Sequence, residues 1–218
     1  GSEMCIRDRS TDLSLPLEGN GSQSILNDID EFLRQCVRTN RPEFMNPLWG
    51  GLNVAGFAGE VIAALTNQSM YTYELSPIAT LIEQAIVERM MEIVGYAEGF
   101  GTLTTGGSNG NMMGMLCARQ ASHPMSSITG FDGSKYVAFV SAEAHYSVLM
   151  SSNVVGIGYQ NLVKVACDSR GRMKPESLVE EIVRARTNGQ TPFCIIATSG
   201  TTVRAVSYTH LRAHETGY

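Results

Sequence analysis

Apolar and polar positions divide the chain into two patterns. From Ser24 to Val94 the apolar residues recur at helical spacing. Ile25, Leu26, Ile29, Phe32, Leu33 and Cys36 predict an amphipathic helix over 24–40. Arg41-Pro42 ends it, because a residue ahead of proline avoids the α region. Residues 54–67 predict a second helix, in which Ala55, Ala58, Ala63 and Ala64 permit close packing. Met70 to Pro77 reads as extended and aromatic. Ser76-Pro77 opens a third helix, with serine as N-cap, proline in the first turn and Gly95 as the stop. Its inward face is Ile78, Leu81, Ile82, Ala85, Ile86, Met90, Ile93 and Val94.

Beyond Gly95 the pattern alternates. Strands are predicted at 102–105, 136–141, 162–166 and 191–197, with helices at 112–122, 144–155 and 175–187 between them. Near-continuous apolar strands separated by helices predict an α/β fold with a mostly parallel sheet covered on both faces. Ligands in such sheets collect beyond the carboxyl ends of the strands. That rule selects three polar loops: 105–111, 142–146 and 198–202. The first 23 residues have no sustained periodicity and read as a loose tail, and 206–218 leave the αβ pattern.

The loop Gly106-Gly107-Ser108-Asn109-Gly110-Asn111 leads from a predicted strand into a helix. A helix start carries unpaired N–H groups and partial positive charge, and glycines allow a phosphate close to the backbone. The same residues also read as a plain connection with Ser108 as N-cap. His145 follows the 136–141 strand and could stack on a planar ligand or carry a proton, or simply start a helix. Thr198 to Thr202 could bond a ligand or cap. Asn46 could hold a carboxylate or form an Asx turn. His210 and His214 have zinc-like spacing but no third ligand nearby, so no metal site is expected. The glycine turn has no following Lys for a Walker A loop and lacks the G-x-G-x-x-G spacing; a G-x-S-x-G elbow is missing too.

Composition narrows the partners. A net charge of −5 argues against a nucleic-acid or anionic-membrane surface, and no apolar run is long enough to span a bilayer. Five widely spaced cysteines without C-x-x-C suggest reduced, mostly buried thiols and a cytoplasmic setting rather than a disulfide framework.

Taken in order, FMNPLWGGLNVAGFAGE, TYELSPIATLIEQAIVERM, LTTGGSNGNMMGMLCAR, SAEAHYSV and ATSGTT form a specific set. Over residues 24 to 205 the chain resembles the group II pyridoxal-phosphate-dependent amino-acid decarboxylases, nearest the glutamate and cysteine-sulfinate branch. The resemblance implies an aspartate-aminotransferase-type (fold type I) large domain, a homodimer, and pyridoxal 5'-phosphate as cofactor. It implies that Gly107, Ser108 and Asn109 hold the cofactor phosphate, that His145 stacks on the pyridine ring as a catalytic group, and that Thr202 lies beside the cofactor. Asn46, Pro47, Leu48 and Trp49 would face the substrate carboxylates, and Tyr71 to Glu74 the partner subunit. An acidic or sulfinate amino acid is the implied substrate, although Pro47 stands where many glutamate-type relatives carry a polar residue. An aminotransferase or lyase of the same fold type is the alternative.

The implied domain plan is a tail over 1–23, a helical segment over 24–95, the first part of the cofactor-binding domain over 96–205, and a tail over 206–218. The family's Schiff-base lysine and the aspartate that protonates the pyridine nitrogen lie further downstream. Lys135, Lys164 and Lys174 do not match that lysine's setting. Residues 3–9 and 207–218 resemble translated sequencing-adapter readthrough. The expectation is therefore an amino-terminal fragment with artificial ends, inactive by itself.

Overall fold

The computed structural model describes residues 14, 17–19, 21–45, 50–198 and 200–201. The chain divides into two compact units, 1–68 and 69–218.

The first unit carries α1 (Ser22–Gln35) and α2 (Val54–Thr66). Along α1, Gln35 donates to Glu31 at 2.7 Å and Arg34 pairs with Asp30, the one-turn spacing at which helical side chains meet. The side chain of Asn53 caps α2 by accepting from Gly56 N–H at 2.8 Å. Asn67 closes it in the left-handed conformation, which asparagine tolerates better than most residues. The close packing expected of the α2 alanines is not found. Neither helix buries a residue, and Ile25, Phe32, Phe57 and Leu65 are all exposed. The apolar periodicity is real, but the described residues provide no surface to cover it.

In the second unit a turn at Tyr73–Leu75 replaces the extended segment expected before Pro77. Helix α3 (Pro77–Val94) ends at Gly95, whose φ of 87° is the left-handed stop the sequence signalled. Its expected inward face is exposed, Ile78 and Ile93 by about two thirds or more. Helix α4 (Gly107–Ser122) is followed by the single turn α5 (Ser126–Thr129) and strand β1 (Tyr136–Ser141). Then come α6 (Ser147–Val154), β2 (Leu162–Val165), α7 (Pro175–Thr187) and β3 (Thr191–Ile196).

The sheet is parallel, as the alternating pattern predicts, and its order is β2-β1-β3. Ala138 sits opposite Leu162 and Ser141 opposite Val165. On the other side Val137 faces Pro192 and Ala138 faces Cys194, so Phe193 is an extra residue and the register shifts there. Proline offers no ladder N–H, and a flanking strand with a bulge is where a sheet accepts one. The central strand sorts its side chains by alternation. Ala138 and Val140 join Met115, Val148, Val155, Ile157 and Leu162 on one face. Val137 and Phe139 join Val165, Met173, Leu178 and Ala185 on the other. Burial on both faces explains why the strand reads YVAFVS without a polar interruption.

The strand expected at 102–105 does not form. A strand needs a partner, and among the described residues no strand, including the outer edges of β2 and β3, pairs with this segment. The segment instead gives its polar groups to nearby atoms: Leu103 N–H to Glu83 Oε1 at 3.4 Å and Thr104 Oγ1 to the Gly106 carbonyl at 3.2 Å. Among the described residues the thiols are less buried than expected: Cys117 is exposed, and Cys36, Cys167 and Cys194 are half-buried, while Cys5 lies outside the described residues.

Candidate cofactor site

The glycine turn belongs to the helix rather than preceding it. Helix α4 starts at Gly107, five residues earlier than its apolar run suggested, and Gly106 occupies the N-cap position. Ser108 is therefore inside the first turn and is not the cap. Gly106 has φ 150° and ψ 167°, a conformation confined in practice to glycine. Gly107 has no such constraint, and a Cβ built on it would meet nothing within 4 Å. The intrahelical ladder opens with Gly110 N–H to Gly106 O at 3.0 Å. The amides of Gly107, Ser108 and Asn109 precede it, at the positive end of the helix dipole. Gly107 and Ser108 are exposed and Asn109 is half-buried.

A second element meets this helix. At the carboxyl end of β1, Ser141 Oγ accepts from Glu143 N–H at 3.0 Å, and the Ala144 N–H returns to the Ser141 carbonyl at 3.1 Å. Ser141 Oγ also lies 3.1 Å from Cys167 Sγ, beyond the end of β2. This turn delivers His145, half-buried, just ahead of α6. His145 Nδ1 is 2.8 Å from Ser147 Oγ and accepts from Ser147 N–H at 3.2 Å. Asn111 Nδ2, one turn into α4, donates to Ser147 Oγ at 2.9 Å. The Tyr146 ring lies 4.2 Å from the imidazole, tilted by 40°. The structure thus joins the helix start at 107–111 to the His145 loop through one buried serine hydroxyl.

Sequence reasoning singled out Gly107, Ser108, Asn109 and His145 but missed Asn111 and Ser147. A signal for Asn111 existed: it shares a helix row with Gly107 and the buried Met115, an inward stripe where a polar side chain needs a partner. After β3, Thr201 is buried, while Thr202 lies outside the described residues. So do Asn46, Pro47, Leu48 and Trp49, together with His210 and His214. Among the described residues no group of His, Cys, Asp and Glu could hold a metal, and no helix is long and apolar enough to cross a membrane. An apolar cleft of about 520 Å³ lies between the end of α3 and the 96–103 segment; none of its lining residues belongs to the glycine turn or the His145 loop.

The arrangement suits an anionic group at the α4 N-terminus with a flat ring beside His145. The space a Cβ at Gly107 would enter is open, with nothing within 4 Å, and the histidine is held by Ser147. These are the features a phosphorylated aromatic cofactor needs, in a parallel α/β sheet with the His145 loop at the carboxyl end of β1. The sequence model of the pyridoxal-dependent decarboxylase conserved domain matches residues 6–213. The chain belongs to that family.

Mouse (Mus musculus) acidic amino acid decarboxylase GADL1 is 40% identical over 193 residues, covering 88% of this chain and 35% of that protein. Mouse cysteine sulfinic acid decarboxylase is 36% identical over 193 residues, covering 88% and 39%. The crystal structure of mouse CSAD superposes with a TM-score of 0.88 at 34% identity, over 94% of this chain and 44% of that one. The fold is accordingly that of the fold-type I pyridoxal-phosphate decarboxylases. The chain spans less than half the length of these relatives.

Proposed function

We propose that the intact protein removes the α-carboxylate of an L-amino acid, with acidic and sulfinate amino acids as the favoured substrates. The observation that carries this reading is the junction of the Gly106–Asn111 helix start with His145 through Ser147. The names of the relatives, acidic amino acid decarboxylase and cysteine sulfinic acid decarboxylase, support the substrate class.

Bound pyridoxal phosphate supplies an electron sink for the pair left when CO2 departs. The chain's own residues bind and orient. The amides of Gly107, Ser108 and Asn109 take the phosphate at the helix dipole. His145 fixes the plane of the ring, which decides whether the breaking bond is aligned for reaction. The family resemblance would put Thr202 beside the cofactor and Asn46 to Trp49 toward the substrate carboxylates; these residues lie outside the described ones. The homodimer and the cytoplasmic setting belong to the same proposal.

The test is CO2 release by the full-length gene product from L-aspartate, cysteine sulfinate and L-glutamate, with light scattering for the dimer. Release from at least one, with a dimer's mass, is the expected result. Amino transfer to a keto acid without CO2 would replace this reading with that of an aminotransferase.

A further inference from the structure

The hydrogen bonds around His145 determine where its ring proton sits. A backbone N–H can only donate, so the contact from Ser147 N–H makes Nδ1 a lone-pair acceptor. The Ser147 hydroxyl, 2.8 Å from the same nitrogen, must then be the donor in that contact. Its oxygen accepts in turn from Asn111 Nδ2 at 2.9 Å. The direction of the chain is fixed from end to end: amide of Asn111 to hydroxyl of Ser147 to imidazole of His145. The neutral ring carries its proton on Nε2, and two donors on Nδ1 oppose rotation about the Cβ–Cγ bond.

We infer that Ser147 and Asn111 are positioning residues that lock His145 in its Nε2–H tautomer and hold its ring plane ready for the cofactor. Neither touches the ring face themselves; both act through the histidine. Ser147 is buried and Asn111 half-buried, so water does not readily replace either donor. The two residues come from different elements, α4 and the start of α6. The phosphate-binding helix and the ring-stacking histidine are thereby held in one fixed relation. The purpose assigned to the lock rests on the function proposed above; the lock itself does not.

The test separates the two. The chain, labelled with 15N in its histidines, is examined in alkaline buffer by long-range 1H–15N correlation, with His145 assigned from the signal missing in His145→Gln. The expected wild-type spectrum is a single tautomer with the proton on Nε2. Ser147→Ala removes the hydroxyl donor and leaves only the backbone N–H of residue 147 on Nδ1; it is expected to weaken the single-tautomer pattern, with a measurable Nδ1–H population appearing, and Ser147→Thr restores it. Asn111→Asp preserves the shape of the side chain but turns its donor into an acceptor. It draws the serine proton away from Nδ1 and is expected to produce the same weakening while the backbone amide signals of β1 stay in place. A wild-type ring protonated on Nδ1, or an unchanged tautomer in a folded Asn111→Asp chain, would overturn the inference. A parallel titration with pyridoxal phosphate, read by cofactor fluorescence, tests the parent reading. Failure to bind with the tautomer result intact would remove the cofactor and leave the lock.

Discussion

Replacing Gly107 with alanine is expected to stabilise the fold and impair the site. Gly107 is the first residue of α4, its φ is not positive, and an added Cβ meets no atom within 4 Å. Alanine at a compatible position restricts the unfolded chain and gains about 0.4–1 kcal/mol. For a protein of this size that corresponds to a rise in Tm of about 1–4 °C. The open space that makes alanine harmless to the fold is the space the proposed phosphate needs. Losing one hydrogen bond to a charged group costs about 1.5–3 kcal/mol, which lowers pyridoxal-phosphate affinity by about tenfold or more. Thermal unfolding followed by circular dichroism reads the first effect and cofactor fluorescence titration the second. A lower Tm would show that Gly107 is needed by the backbone, and an unchanged affinity would show that the phosphate does not approach there.

Gly133→Ala is expected to act in the opposite way. Its Cβ would overlap the Gly156 carbonyl oxygen and come within 2.9 Å of Ile157 Cα, all backbone, so a loss of about 1–3 kcal/mol or more in urea unfolding is expected. The Asp168 carboxyl is held below its ordinary range, chiefly by the Arg172 backbone N–H, with help from the Arg172 side chain and the Arg170 N–H. Its stabilising contribution is complete above the unfolded value of about 3.9 and disappears as pH falls through the lowered native value. Asp168→Asn should therefore flatten the fall in stability below about pH 4 in acid titrations followed by circular dichroism. Burial pushes the Cys194 thiol up to about 11, whereas Cys117 is exposed. Iodoacetamide at pH 8 followed by peptide mass spectrometry should label Cys117 first and leave Cys194 largely unmodified.

The sheet was legible because its signals are local. The run YVAFVS, the proline that starts α7 and the glycine that stops α3 each mark their own element, and the structure places β1, α7 and the end of α3 where those residues indicate. Thr102 to Thr105 has the composition of a strand, but pairing depends on which edge is free, and that is a property of the assembled sheet. The start of α4 was misjudged because polar residues fill its first turn and the backbone angles of Gly106 leave no trace in composition. The exposed faces of α1 to α3 show the converse: periodicity predicts an apolar face without saying what covers it. The position of His145 was readable from its strand, whereas its partner Asn111 comes from another helix 34 positions earlier and is joined to it only by folding.

The central place of β1 has a consequence for synthesis. Its later neighbour, β3, is the last strand among the described residues, ending at Ile196. Making residues 142–196 takes on the order of 3–10 s at about 5–20 residues per second. Throughout that interval the most apolar strand of the sheet has one edge of its backbone open to any other nascent chain. Yield during expression should therefore depend on what shields that edge on the ribosome: slower translation lengthens the exposure, and a chaperone that binds extended apolar segments shortens it.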